Sequence, residues 1–283
     1  MHVVVGATGT IGRETIRLLS EAGEEVVAVT RNPAATFPDD VSVLVGDVSR
    51  PGTLALPEKV TSVLLSPRAV GSAAAALLQS VANRGAQRVV LISAATVEYP
   101  VGERRFIEQF EVAEAVVRAS SMPSTILRCA DFAANALAWV PQVHAGDTVR
   151  GAYAAAATSP IHERDVAEVA VRGLVGGEHE GSSIHLLTGP ESLDQRDKVR
   201  LIGEALAREL SFAEVPPDVV RSGMLAQGLS AEVPDRLLGS LADYSALPGP
   251  TTDVVERVLG RPATPFAVWA ADNAAAFTPA ETS

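Results

Sequence analysis

Apolar runs four or five residues long recur through the first half of the chain, separated by longer stretches in which apolar positions return every three or four residues. The runs at residues 2–5, 25–29, 42–45, 62–65, 88–92 and 124–127 predict strands. They are nearly continuous in Val, Ile and Leu rather than alternating, the pattern of strands buried on both faces. The stretches at 10–22, 71–84 and 103–119 predict helices between them. Strands that alternate with helices require right-handed crossovers, so this part of the chain predicts a doubly wound parallel sheet of the α/β class.

Beyond Cys129 the regularity loosens. Residues 131–140 read as a helix ended by Pro141, the segment 161–165 introduces another helix to about residue 174, and 183–188 read as a strand stopped by Gly189-Pro190. From Gln195 onward the chain reads as mainly helical, interrupted by Pro216-Pro217, Pro234, Pro248-Gly249-Pro250 and Pro262. The division expected is a core of residues 1–130, to which 160–188 return, and a smaller, mainly helical lobe of 131–159 and 189–283. That lobe is placed over the carboxyl ends of the strands, where ligands of doubly wound sheets bind.

Composition narrows the function. A length of 283 residues supports a substantial core without disulfides, and the single cysteine excludes an internal one. Cys129 ends an apolar run, which predicts a buried, inert thiol. The net charge of −11 argues against a protein that reads a nucleic-acid backbone, which needs clustered Lys and Arg. No long apolar span interrupts the pattern and the first strand begins at residue 2, so no membrane association and a cytoplasmic location are expected. His144, His179 and His185 show no metal-ligand spacing with other donors, and no metal is expected. The oligomeric state is not legible.

The densest chemical signal follows the first strand directly. Gly6-Ala7-Thr8-Gly9-Thr10-Ile11-Gly12 joins the run 2–5 to the helical stretch that begins Arg13-Glu14. Gly6 allows a tight turn, Gly9 keeps side-chain atoms away from a pyrophosphate, and Gly12 lets the helix lie close to the sheet. Phosphates at such a place meet the free N–H groups and positive dipole end of a helix, here flanked by the Thr8 and Thr10 hydroxyls. This is the phosphate cradle of a Rossmann-type dinucleotide fold.

The residues after the second strand choose the dinucleotide. Val29-Thr30-Arg31-Asn32-Pro33 holds no acid to accept from a ribose hydroxyl; Arg31 instead suits a 2′-phosphate, with Arg13 as a second positive group. NADP(H) is therefore the cofactor expected. Gly46-Asp47-Val48 is placed for the adenine edge, and Ser66, Arg68 and Ser93 for the nicotinamide ribose.

On these segments the chain resembles the NmrA-like, atypical short-chain dehydrogenase/reductase family. The likeness rests on the glycine turn, on Thr30-Arg31-Asn32-Pro33, on Thr125-Ile126-Leu127-Arg128 followed by Phe132 and Asn135, and on Thr188-Gly189-Pro190-Glu191. It implies a Rossmann-type core, a nicotinamide cofactor and a variable C-terminal substrate lobe.

Most short-chain reductases also carry Tyr-x-x-x-Lys about a dozen residues beyond a serine that ends the fifth strand, where the lysine lowers the pKa of the tyrosine that protonates a carbonyl. Counting from Ser93 here reaches Phe106 and Phe110, and the only lysines are Lys59 and Lys198. The dyad is absent. Reduction then needs another proton source, and Ser93, Tyr99, water or a phenol on the substrate itself are the candidates. Phe106, Phe110, Phe132 and His162 are expected to line the pocket, the phenylalanines suiting a planar partner such as an aromatic polyketide or quinone. The reading that results is an NADPH-dependent oxidoreductase, ketoreductase-like, acting on a fairly large apolar small molecule. The alternative is a non-catalytic NADP(H) sensor that reports redox state to a partner protein.

Overall fold

A computed structural model describes residues 1–176 and 181–279, and within them the side chains of Pro51, Arg68 and Val70 are not described. The strands are β1 (His2–Val5), β2 (Val26–Thr30), β3 (Ser42–Val45), β4 (Ser62–Leu65), β5 (Arg88–Ala94), β6 (Ser124–Cys129), β7 (Thr148–Gly151), β8 (Ser183–Leu187) and β9 (Ser211–Glu214). The helices are α1 (Thr10–Glu21), α2 (Pro67–Val70), α3 (Ala74–Ala82), α4 (Arg105–Arg118), α5 (Val140–Ala145), α6 (Glu163–Val175), α7 (Gln195–Ala205), α8 (Pro217–Ala226), α9 (Glu232–Ala246), α10 (Val254–Leu259) and α11 (Phe266–Asp272). Seven strands form one parallel sheet in the order β3-β2-β1-β4-β5-β6-β8.

Alternate strand residues point to opposite faces, and both faces are covered. Val3, Val63, Val89 and Leu91 pack toward Leu77, Leu78 and Val81 of α3 and Val117 of α4. Val4, Leu64, Val90 and Leu127 pack toward Ile16 and Leu19 of α1 and Val166, Val169 and Leu174 of α6. This is the doubly wound Rossmann-type fold that the apolar runs predict. Strand order reverses between β1 and β4, which opens a crevice at their carboxyl ends.

A third cluster joins the remaining segments. Ala133, Ala136, Val143 and Val149 pack with Leu193, Val199, Ile202, Phe266, Trp269 and Phe277, and the Phe266 and Trp269 rings stack 5.2 Å apart. Trp269 Nε1 donates to Glu163 Oε1 at 3.1 Å, which ties this cluster to the start of α6.

Two local expectations need correction. Residues 133–139 form a 3₁₀ helix rather than an α-helix, and Pro141 opens α5 instead of ending a helix. Proline lacks only an N–H that a first helical turn leaves unbonded anyway, so Pro141 fits there. The same reasoning admits Pro234 to the first turn of α9. The tail is mainly helical as expected and adds one strand, β9, which pairs in parallel with β7, Thr148 to Ser211 through Gly151 to Glu214.

Candidate functional site

The glycine turn lies at the crevice where strand order reverses. Gly6 takes a φ of +86°, a left-handed conformation in which a side chain is strained, and a Cβ there would sit 2.8 Å from Ser66 Cβ at the end of β4. Gly12 is more tightly constrained. A Cβ on it would lie 3.0 Å from the carbonyl carbon of Gly6 and 3.1 Å from Ala7 Cα, and closer still to the Gly6 oxygen. The first turn of α1 is thus pressed against the end of β1 through backbone alone. Gly9, the residue before α1, donates its N–H to Gly6 O at 2.9 Å, and no side chain caps the helix. Thr8, Gly9 and Thr10 are exposed around this uncapped end, whereas Ile11 and Gly12 are buried beneath it. A pyrophosphate is the kind of group such a cradle fits.

The next loop closes one side of the cradle. Arg13 donates from Nε to Thr8 O and from a terminal nitrogen to Thr36 O, both at 3.2 Å, and its guanidinium lies 5.6 Å from the Phe37 ring centre. Arg13 thereby joins the glycine turn to the loop after β2. Thr30 Oγ1 accepts the Asn32 N–H, and Asn32 Oδ1 accepts the Ala34 N–H, a turn that leaves Arg31 exposed. Across from it Asp47 accepts from the backbone and hydroxyl of Ser49; those bonds, with Arg50 and Arg31 nearby, hold its carboxyl below the usual carboxylate range. Val48 is buried in the core. Ser66 precedes α2, and Arg68 lies within that helix with its side chain outside those described.

Ser93 needs a correction as a proton donor. It lies on β5 and is buried, and its hydroxyl donates to Glu114 Oε1 at 2.7 Å, so its one proton is already committed. Glu114 stands one helical turn beyond Phe110 on α4, fully buried. It also accepts from Arg128 on β6 at 3.0 and 2.8 Å and from Arg118 at 2.9 Å; Arg128 reaches Glu98 as well. Burial pushes the Glu114 carboxyl up, but the bonds from Arg128 and Ser93 outweigh it and hold the group below the usual carboxylate range. The helix that would carry the Tyr-x-x-x-Lys dyad instead carries a buried ionic clamp on β5 and β6.

Tyr99 is 44% exposed just past the short 3₁₀ turn at the end of β5. Phe106 and Phe110 are half-buried on α4, the first with the Arg105 guanidinium 4.5 Å from its ring centre. Phe132 is brought to His162 by the bridge between Phe132 and Ile161. His162 is buried and caps α6, its Nδ1 accepting from the Arg164 N–H at 3.1 Å. Cys129 is buried, which pushes its thiol up, and Sγ donates to Leu127 O.

A second polar cluster, which the sequence did not reveal, lies just past β6. Asp131 accepts from Asn135 on one oxygen, and from Thr158 Oγ1 at 2.9 Å and Lys198 Nζ at 3.0 Å on the other; Lys198 also donates to Thr158 Oγ1 at 2.6 Å. Burial pushes the Asp131 carboxyl up, yet the Lys198 charge and these bonds keep it below the usual range. Among the described residues no helix is long and apolar enough to cross a membrane.

Comparison with known proteins follows this geometry. A family model described as NAD(P)H-binding matches residues 6–175. A Streptomyces griseus protein, (4-alkanoyl-5-oxo-2,5-dihydrofuran-3-yl)methyl phosphate reductase, is 30% identical over 99% of this chain and all of its own length. The NAD(P)H azoreductase of Xenophilus azovorans is also 30% identical, over 98% of this chain and 99% of its own. Among solved structures, the Citrobacter triphenylmethane reductase complexed with NADP(H) superposes with a TM-score of 0.80 at 17% identity, covering 97% of this chain and all of that one. The Escherichia coli NADPH-dependent quinone oxidoreductase complexed with NADPH gives 0.77 at 18%, over 96% and 99%. At such identities these two show the fold. The family match and the full-length relatives place the chain in the NAD(P)H-binding, NmrA-like family of atypical short-chain dehydrogenases/reductases, as an oxidoreductase that binds NAD(P)H.

Proposed function

We propose that the chain reduces a ketone or quinone carbonyl on a fairly large, apolar, planar small molecule, with NADPH as the reductant. The observation that carries this reading is the backbone-on-backbone packing of Gly12 against Gly6, which leaves an uncapped helix end open at Thr8, Gly9 and Thr10. Bound there, NADPH supplies a hydride. The chain's own residues bind and orient: amides at the start of α1 take the pyrophosphate and Arg31 takes the 2′-phosphate, with Arg13 holding the loop beside it. Asp47 and Val48 flank the adenine side, and Ser66 and Arg68 the ribose of the reacting end. Ser93 serves as a fixed part of the wall, since its proton is bonded to Glu114.

Segments 131–159 and 189–283 act as the substrate lobe, with Phe106, Phe110, Phe132 and His162 as pocket walls. An apolar substrate suits the apolar side chains this lobe leaves exposed, Leu137, Leu225, Leu229 and Leu237 among them. Relatives named for an alkanoyl-furanone phosphate and for azo reduction support hydride delivery to conjugated acceptors.

The test uses NADPH deuterated at C4 with a panel of quinones and aromatic ketones. Deuterium is expected on the product carbon of a ketone and in turnover-linked loss from the cofactor with a quinone. Absence of transfer across the panel, with the cofactor bound, contradicts the reading. In the same assays Arg31→Ala is expected to weaken NADPH by roughly 10- to 100-fold, the worth of a charged hydrogen-bonded pair, and to leave NADH use nearly unchanged. Equal losses with both cofactors would remove Arg31 from the 2′-phosphate site.

A further inference from the structure

With the dyad absent and Ser93 committed to Glu114, Tyr99, 44% exposed beyond β5, is the one side-chain donor left of those the sequence offered. The lobe supplies a tyrosine and a lysine from other places in the chain. Lys198 on α7 is 4% exposed, and burying an ammonium costs several kcal/mol unless it is paired and hydrogen-bonded. Its partners are Asp131 and Thr158, as described above. Asp131 lies two residues past the end of β6, and Cys129 at that end pairs with Ala94 at the end of β5. The cluster therefore stands at the carboxyl ends of β5 and β6. In a doubly wound sheet this is the side of the crevice toward which a dinucleotide bound at β1 extends its reacting end.

The end of α9 is stitched over the same place. The Ala157 N–H donates to Tyr244 O at 3.3 Å, and Ala157 O accepts from the Gly249 N–H at 3.0 Å, next to Thr158 of the cluster. A Cβ on Gly249 would lie 3.1 Å from the edge of the Tyr244 ring, so that glycine leaves room for the ring beside the backbone. One residue earlier, Asp243 accepts the Gly102 N–H at 2.7 Å, which ties α9 to the loop after β5. Tyr244 is thus held against the segment between β7 and α6, and its neighbour Asp243 against the loop that follows β5.

We propose that Tyr244 is the proton donor to the reduced carbonyl oxygen and that Asp131, Thr158 and Lys198 are positioning residues, which act through the 157–158 backbone to which the end of α9 is bonded. The proposal rests on the carbonyl-reductase reading above. As hydride from NADPH reaches the carbonyl carbon, the π pair moves to oxygen and that oxygen takes the phenolic proton of Tyr244. The products are the alcohol and NADP⁺, and water returns a proton to the phenolate. Burial and the nearby carboxylates of Asp131 and Asp243 push the Tyr244 phenol up to about 12. Below that pH the donor stays loaded, the reverse of a tyrosine made acidic by a neighbouring lysine.

The test compares full-length wild type with Tyr244→Phe, Asp131→Asn and Lys198→Met. Tyr244→Phe keeps the ring and is expected to lower kcat by roughly 10²- to 10³-fold, with NADPH affinity and KM nearly unchanged. Asp131→Asn is expected to move the ionisation of Tyr244 down from about 12, read by ultraviolet difference titration and assigned by its loss in Tyr244→Phe, and to move the alkaline limb of the rate profile with it. Lys198→Met is expected to lower kcat more than KM and to shift the same limb. A Tyr244→Phe enzyme within about threefold of an active wild type overturns this proposal alone, as does a phenol titration indifferent to Asp131→Asn. A wild type that transfers no deuterium to any carbonyl overturns the reductase reading, and this proposal with it.

Discussion

Gly12→Ala is expected to abolish useful cofactor binding, raising the Kd for NADPH by at least roughly 100-fold, about 2.8 kcal/mol. The added methyl meets backbone, not a side chain that can turn away: the Gly6 carbonyl carbon at 3.0 Å, Ala7 Cα at 3.1 Å and the Gly6 oxygen closer than either. Overpacking in a tight site commonly costs about 1–3 kcal/mol, and an obstacle without rotamers belongs at the upper end. Relief requires α1 to move away from β1, which pulls the amides at Thr10 and Ile11 from the place where the pyrophosphate lies. Calorimetric titration with NADPH checks the affinity, and a thermal melt without cofactor separates lost binding from lost fold. Binding within about threefold of wild type would show that the helix tolerates the displacement and that this packing does not set the cradle.

The largest stability effect is expected at Glu114. Glu114→Leu removes a fully buried carboxylate and leaves Arg128, whose side chain is 15% exposed, with only the Glu98 contact at the surface. Breaking one side of a buried ion pair costs roughly 3–5 kcal/mol, because the remaining charge stays buried. In a chain of this size that is a fall in melting temperature of about 5–8 °C. Glu114→Gln should recover part of the loss, since an amide still accepts from Ser93.

The pH dependence has a definite sign. The folded-state pKa of Glu114 lies below its ordinary value, so its contribution is present above the unfolded carboxylate pKa of about 4.3 and is lost as pH falls through the folded one. The gap in melting temperature between wild type and Glu114→Leu should therefore be widest near neutrality and should shrink below about pH 4. A gap that stays constant from pH 7 to pH 3 would mean the carboxylate charge is not what matters.

These two sites differ in how far the sequence revealed them. Gly6, Gly9 and Gly12 lie within seven consecutive residues, and strand followed by helix gives each a fixed place, so the cradle is legible from spacing alone. Val-rich runs likewise gave β1, β3 and β4 to the residue: β1 and β4 are buried throughout and apolar after their first residue, whereas β3 keeps the run as a largely exposed edge strand. Glu114 is different: its partners Ser93 and Arg128 lie 21 residues before and 14 after it, and they meet only because β5 and β6 are neighbours. A signal was available in the chain, since Phe106, Phe110 and Glu114 follow one helical face and a lone acid there calls for a buried partner.

Lys198 was similarly open to inference from its rarity, one of two lysines among 23 cationic residues. Its contact with Asp131, 67 residues away, follows from docking of α7 and has no local pattern. The short β7 and β9 were missed because each is four residues long and partly exposed, without the continuous apolar run of a sheet buried on both faces. Pro141 and Pro234 misled for a specific reason: proline ends a helix from its interior but begins one from its first turn, and only the surrounding fold distinguishes the two.

The central claim, that the dinucleotide docks at the turn after β1, is tested most directly by amide hydrogen exchange of the full chain with and without NADPH. The cradle predicts strong slowing at residues 6–13, where amides at the start of α1 would bond phosphate, and a second protected patch at 30–34 around Arg31. Saturating NADPH that leaves exchange at 6–13 unchanged would contradict it.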